Sequence, residues 1–124
     1  MVRIAYIPDQ YRLIARGHAG SGEPGHDLVC AGVSALVLAL REKLNQMEKA
    51  GLIRLKVAAA ELGAAQFWCS PEKGSEELLA AVMDTVVGGM ALLQKLFGEF
   101  VELRINTTPD LEGKPSEENI DIQA

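Results

Sequence analysis

The amino-acid sequence predicts an α+β fold, in which one mainly antiparallel sheet packs against two amphipathic helices in a single domain. Apolar residues alternate with other residues in several short segments, which is the period of a β-strand, while two longer segments repeat them at the three- and four-residue spacing of a helix. Turn-forming residues separate these segments. The resulting order is ββαββαβ, and a chain of 124 residues with 48% hydrophobic residues suits one packed domain.

The first half of the chain predicts a hairpin followed by a helix. Apolar alternation at residues 2–6, turn residues at 8–10 and a second extended segment at 11–16 indicate two antiparallel strands. A glycine-rich segment follows, and helical periodicity begins at Leu28. The apolar face of this helix comprises Val33, Leu36, Val37, Leu40, Leu44 and Met47. Gly51 is placed to end it.

The second half repeats the pattern and adds a strand. Residues 53–57 and 64–69 predict strands around a turn at 61–63, and Ser70-Pro71 closes the second of them. Ser75 is the predicted N-cap of the second helix. The apolar face of that helix comprises Leu79, Val82, Met83, Val86, Met90, Leu93 and Phe97. Gly88-Gly89 within it indicates either close packing or a plain surface position. Val101, Leu103 and Ile105 form the last strand.

Charge separates a domain at residues 1–106 from an acidic tail at 107–124. The tail carries five carboxylates and one lysine, so it accounts for most of the net charge of −5: Asp110, Glu112, Glu117, Glu118, Asp121 and Lys114. Residues 1–106 are close to neutral overall and show no cluster of basic residues, so we expect no direct contact with nucleic acid. No membrane span or signal peptide is expected, because charged residues interrupt the apolar stretches. Two cysteines are too few for a disulfide scaffold, which indicates a cytoplasmic protein with free thiols.

Three glycines before the first helix, Gly20, Gly22 and Gly25, have the spacing of a dinucleotide-binding loop. The rest of that site is missing. A ribose-binding acid is needed at the end of the next strand, but the residue at the corresponding distance is Glu42, inside the predicted helix. We therefore expect no cofactor.

A metal site is the second alternative. His26 and Cys30 are spaced i, i+4, and His18 and Cys69 would complete four ligands. Structural zinc sites show tightly paired ligands, and these residues do not. We expect no metal.

A reactive thiol is the third alternative. With Asp27 as N-cap, Cys30 is the third residue of the helix, where unpaired N–H groups and the helix dipole stabilise a thiolate. The backbone N–H groups of Cys30 and Ala31 are then candidate donors to an oxyanion. His18 is the candidate base, with His26 as the alternative, and Ser34 lies one turn beyond the cysteine. The residues alone leave a second interpretation open, in which Cys30 is simply a packed core residue.

The residues around this cysteine resemble a known family. Gly17-His18-Ala19, followed by the string GHDLVCAGVSAL at residues 25–36, resembles the ribosomal-processing cysteine protease family, Prp. The spacing of His18 and Cys30 and the D-x-V-C-A-x-V-S string carry the resemblance, which covers about residues 1–106. The acidic tail lies outside it.

The resemblance implies a bacterial endopeptidase that removes an N-terminal extension from a precursor of the twenty-seventh large-subunit ribosomal protein. It implies Cys30 as nucleophile, His18 as its partner, and Asp27 and Ser34 as supporting residues. It further implies a homodimer, and a glycine-rich loop (Gly20, Gly22 and Gly25) that covers the site until substrate binds. Two other functions stay open on the sequence: a non-catalytic ribosome-associated binding module, and a thiol redox protein that would use Cys69 as its resolving cysteine.

Overall fold

The computed structural model describes residues 1–17, 26–61 and 63–107, with the side chains of His26 and Asp27 excepted. Five strands and two long helices follow one another in the predicted ββαββαβ order. They are β1 Val2–Ile7, β2 Arg12–Arg16, α1 His26–Lys49, β3 Ile53–Glu61, β4 Ala64–Pro71, α2 Glu76–Leu96 and β5 Val101–Ile105, with a 3-10 turn at Pro8–Gln10 between β1 and β2.

The strands form one mixed sheet in the order β3-β4-β2-β1-β5. The β1–β2, β2–β4 and β3–β4 pairs are antiparallel, and only β1–β5 is parallel. A parallel neighbour requires a long crossover connection, and α2 supplies it between β4 and β5. The predicted α+β class with a mainly antiparallel sheet is therefore confirmed.

The hydrophobic core lies between one face of this sheet and the two helices. On the sheet side it includes Ile4, Leu13 and Phe67, each 1% exposed or less. The helices contribute apolar side chains at helical spacing: Val29, Val33, Val37, Leu40, Leu44, Met47, Leu79, Met83, Val86, Val87 and Met90. Each large apolar side chain buried in this way stabilises the fold by roughly 1.5–3 kcal/mol before entropy costs are counted.

Glycines let the two helices approach each other closely. A methyl group added at Gly89 of α2 would lie 3.0 Å from both terminal carbons of Leu36 on α1. Gly32 of α1 meets Leu93 of α2 in the same way, at 3.2 Å. Gly88 has open space instead. The sequence left two alternatives for this glycine pair, close packing or a surface position. Gly89 is closely packed, and Gly88 lies at the surface.

Two local expectations need correction, and a third, the N-cap of α2, is confirmed in position but not by a side-chain hydrogen bond. α1 begins at His26, so Asp27 lies inside the helix rather than at its N-cap. Ser75 does occupy the N-cap of α2, but its side chain makes no capping hydrogen bond, and the Glu76 carboxylate instead accepts one from the Gly74 N–H at 2.9 Å. β4 continues through Pro71 rather than closing before it.

Two further expectations concern membrane-spanning helices and the boundary of the acidic tail. In the part of the chain that the structure describes, neither helix combines the length and apolar character needed to cross a membrane. The tail beyond residue 107 lies outside the described residues, so the boundary between a domain at 1–106 and a tail at 107–124 stays a prediction.

Candidate active site

A cleft of about 190 Å³ lies where the first half of α1 meets the ends of the central strands. Cys30, Val33 and Ser34 line it from α1. Ala15 and Gly17 line it from β2 and the residue after that strand. The opposite wall is the β3–β4 hairpin, which contributes Ala60, Glu61, Gly63, Ala64 and Ala65. The cleft therefore joins the helix predicted to carry the nucleophile to a hairpin far away in sequence.

Cys30 lies on α1 at the border between the buried and exposed faces of the helix. Val29 and Val33 are 1% and 7% exposed, whereas Ala31 and Ser34 are exposed. Cys30 is half-buried and its thiol forms no disulfide. The structure thus brings two of the predicted residues, Cys30 and Ser34, to one cleft.

Gly17 fixes the end of β2 at this cleft. Its N–H donates to the Gly63 carbonyl at 3.0 Å, which ties β2 to the β3–β4 hairpin. Gly17 has φ +96°, and a Cβ there would collide with the Met1 carbonyl oxygen, so only glycine fits. His18, which follows Gly17 in the sequence, lies outside the described residues.

The start of α1 at His26 changes the expected position of the oxyanion donors. Cys30 becomes the fifth helical residue rather than the third. The unpaired N–H groups of an α-helix belong to its first turn, and later ones donate to carbonyls of the preceding turn. Because Cys30 and Ala31 lie past that first turn, their N–H groups are expected to serve the helix itself, and their oxyanion role stays a prediction.

Cys69 has a different environment. It is 2% exposed on β4, and burial together with the nearby Glu48 carboxylate raises the pKa of its thiol to about 12. A thiol held protonated in this way is a poor nucleophile at neutral pH. Its burial identifies Cys69 as a packing residue of the core.

The remaining candidates are only partly placed. His18 and the glycines of the predicted loop, Gly20, Gly22 and Gly25, lie outside the described residues, and so does the side chain of His26. Among the described residues no three His, Cys, Asp or Glu side chains are grouped as metal ligands would be. Glu42 lies inside α1 as expected, so it does not stand at the strand end where a ribose-binding acid is needed.

Sequence reasoning missed the hairpin wall of the cleft. Glu61 and Gly63 were assigned only to a turn, because their proximity to Cys30 depends on the pairing of β4 with β2. The glycine was the available signal, since Gly63 at φ +77° marks a tight connection. Nothing in the local sequence indicates which surface that turn approaches.

A thiol that lines a cleft from the first half of a long helix can serve as the nucleophile of a hydrolase, and the chain is a cysteine protease. That class rests on a family model described as cysteine protease Prp, which matches residues 2–102. Because the match spans most of the chain, the protein belongs to the Prp family. The sequence has no match among curated proteins.

Solved structures share this fold. The ribosomal processing protease Prp from S. aureus in complex with a substrate peptide has a TM-score of 0.65 at 19% identity, covering 85% of this chain and 99% of that one. The same protease with a covalently linked product peptide gives 0.64 at 21% identity, with the same coverage. SMU.848 from Streptococcus mutans gives 0.59 at 24% identity, covering 84% of this chain and 90% of that one.

Proposed function

We propose that this cysteine protease is a ribosomal-processing endopeptidase that removes the N-terminal extension of the twenty-seventh large-subunit ribosomal protein. The observation that carries the proposal is the position of Cys30, a half-buried cysteine outside any disulfide that lines a cleft large enough to receive a substrate side chain. The S. aureus protease of the same fold is a ribosomal processing protease that binds a substrate peptide. Because this chain belongs to the Prp family, we propose the same class of substrate for it.

The proposed reaction is covalent acyl transfer. The Cys30 thiolate attacks the scissile carbonyl and forms a C–S bond, and the C–N bond breaks as the His18 imidazolium donates a proton to the departing amine. Water then attacks the thioester carbon while His18 accepts its proton, and the C–S bond breaks to restore the thiolate. The direct link from His18 to Gly17, which lines the same cleft as Cys30, supports this pairing.

The other predicted residues have supporting roles in this proposal. Ser34 lines the cleft one turn after Cys30 and is exposed, so its hydroxyl is available to a bound peptide. Asp27 lies in the first turn of α1, where a carboxylate complements the helix dipole. Backbone N–H groups near Cys30 and Ala31 remain the proposed oxyanion donors. This last role requires the N-terminal turn of α1 to open when the substrate binds, because a continuous helix uses those donors.

The lining of the cleft indicates what kind of peptide it accepts. Val33, Val37 and Leu38 on α1 face alanines of the hairpin, and Glu61 is the one carboxylate among the described lining residues. An apolar cleft gains free energy from apolar side chains at roughly 25 cal/mol per Å² removed from water. We therefore propose that an apolar residue beside the scissile bond occupies the cleft, with the glycine-rich loop of Gly20, Gly22 and Gly25 closing over it.

The working form is proposed to be a cytoplasmic homodimer. Three large side chains project from one side of α2 into solvent: Leu78 at 46%, Leu92 at 54% and Leu96 at 61% exposed. Their spacing places them within about 40° of one another around the helix. A stripe of this kind supports contact with another protein surface. Sedimentation equilibrium of the intact chain tests the dimer.

Incubation with the precursor ribosomal protein, followed by mass measurement of both fragments, tests the proposed activity. Cys30→Ala should abolish cleavage, and Cys69→Ala should retain it, because only the first thiol lines the cleft. His18→Ala should lose at least about 10²-fold in turnover, the usual contribution of a general acid–base, while His26→Ala serves as the matched histidine control. Unchanged cleavage by Cys30→Ala would exclude the mechanism, and cleavage of unrelated peptides but not of the precursor would exclude the substrate.

The structure does not favour the thiol redox alternative. Glu48, beside Cys69, lies eighteen residues after Cys30 on α1, which corresponds to roughly 27 Å of helix. Along β4, Cys69 lies four residues from Ala65 of the cleft, or roughly 13 Å. A disulfide requires Cα atoms within about 7 Å. Cys69 is therefore a poor resolving partner for Cys30.

A further inference from the structure

The face of the sheet that points away from the helices is cationic. The five strands carry six lysine and arginine side chains against two glutamates: Arg3, Arg12, Arg16, Arg54, Lys56 and Arg104 against Glu61 and Glu102. Core residues Ile4 and Tyr6 alternate with Arg3 on β1, so the arginine belongs to the other face. We call this surface the outer sheet face. It was invisible in the sequence, where the cations are scattered over a nearly neutral body.

The outer sheet face also has an apolar floor and one aromatic side chain. Ala5, Ile7 and Ile14 are 0%, 9% and 1% exposed, yet they are not members of the core between sheet and helices. Trp68, the only tryptophan of the chain, lies beside them. The Arg12 guanidinium lies 4.6 Å, and the Lys56 ammonium 5.0 Å, from the centre of its ring.

We propose that the acidic C-terminal segment of this chain, residues 108–124, docks on the outer sheet face. Its five carboxylates and one lysine give a net charge of −4, and the strands carry an equal excess of positive charge. A carboxylate-rich peptide forms charge-assisted hydrogen bonds with exposed guanidinium and ammonium groups. Arg54 already pairs with Glu72, Arg3 and Arg104 pair with Glu102, and Arg12 is buried, so the charges of the segment and the face are complementary in sign.

The position at which the described chain ends also supports the C-terminal segment as the occupant of the outer sheet face. The Asn106 N–H donates to the Tyr6 carbonyl at 2.8 Å, so the chain leaves β5 at the end of the sheet where Ile7, Arg12 and Trp68 lie in one row. Asn106 has φ +64°, which bends the chain out of the strand direction. From β5, three strand spacings lead to Trp68, roughly 14 Å, and the segment reaches up to roughly 55 Å when extended.

An RNA partner fits this surface less well. Single-stranded RNA is held by bases that stack on exposed aromatic rings. Trp68 is half-buried and has two cations over its ring, which compete for the stacking position. A tethered acidic segment also acts at an effective concentration of about millimolar, which a free polyanion rarely reaches. The outer sheet face therefore suits the acidic C-terminal segment better than it suits RNA.

Trp68 makes the proposal directly testable, because all tryptophan fluorescence of the protein comes from this face. We compare quenching by iodide in the full chain and in a tail variant, Glu112→Gln, Glu117→Gln and Glu118→Gln. The matched control removes the same charge from the helical side and the β5 approach: Glu42→Gln, Glu77→Gln and Glu99→Gln, all exposed. These substitutions lie outside the core, so a difference in quenching between the variants would not reflect a difference in folding.

Iodide quenching should increase about twofold or more in the tail variant, because an uncovered cationic face concentrates anions. It should increase further on truncation after Thr107 and stay near the full-chain value in the control. Equal quenching in the full chain and the tail variant would overturn the proposal, as would an equal increase in the control. Quenching that depends on protein concentration would assign the face to a second copy instead. A single-stranded RNA oligonucleotide that binds the full chain as tightly as the truncated one would show that the tail does not cover the face.

Discussion

Selective alkylation of Cys30 is the prediction that most directly connects the structure to the chemistry. Iodoacetamide at neutral pH reacts with thiolates, so its rate at each cysteine follows the fraction that is ionised and accessible. The pKa of Cys69 is raised from an ordinary 9.0 to about 12, which lowers its thiolate fraction by about a thousandfold. Its 2% exposure slows the reaction further. Cys30 is half-buried and lines the cleft.

The folded protein should therefore take up one equivalent of reagent, on Cys30, while Cys69 reacts about a thousandfold more slowly than an ordinary accessible thiol. Intact mass followed over time gives the stoichiometry, and peptide mapping gives the site. Unfolding in guanidinium should release the second equivalent, and Cys30→Ala should react only after unfolding. Activity on the precursor should fall in proportion to modified Cys30. Modification of Cys69 at a rate within tenfold of Cys30, or full activity with Cys30 fully modified, would refute the reasoning.

Three further predictions concern stability and the shape of the cleft. Gly88→Ala should raise the free energy of unfolding by about 0.5–1 kcal/mol through helix propensity, whereas Gly89→Ala should lose that gain to overpacking of about 1–3 kcal/mol; equal urea midpoints would contradict this. The free energy of unfolding should fall as pH rises from about 9 to about 12, because the unfolded Cys69 thiol ionises there while the folded one keeps its proton; Cys69→Ala should show a shallower fall in urea titrations across that range. Gly17→Ala should lower turnover far more than Gly51→Ala, since both glycines have positive φ but only Gly17 lies at the cleft and against the Met1 carbonyl; equal turnover in the two variants would contradict a positioning role for Gly17.

The elements could be predicted from the sequence because burial on one side imposes a period on each of them. The spacing of Val33, Val37 and Leu40 predicted α1, and all three are buried. The start of α1 was wrong by two residues, because the capping preference of Asp27 is local and weak compared with the packing of the whole helix. The position of a helix end depends on capping interactions of about 1 kcal/mol, so the sequence defines the end of a helix less sharply than the helix itself.

The cleft could be predicted only in part and the outer sheet face was not predicted, because both depend on strand pairing. Cys30 and Ser34 were found from a local string, since the helix that carries them also presents them. Glu61 was not, because it reaches the cleft through the antiparallel pairing of β3 with β4. The cationic face was missed for a related reason: alternation along each strand sends polar residues to one side, so a neutral average conceals a charged surface.

The position of Cys30 on α1 explains how one cysteine can be reactive while the other is inert. A thiol on the central line of the buried stripe would lose solvent and its pKa would rise, as that of Cys69 does. A thiol on the fully exposed side would have no wall against which to hold a peptide. Val29 and Val33, one residue before and three after Cys30, are both anchored in the core, so the helix cannot rotate without exposing them. The core thus fixes the thiol at the border of the buried face, a position that suits the proposed nucleophile because it combines the wall of the cleft with access to water.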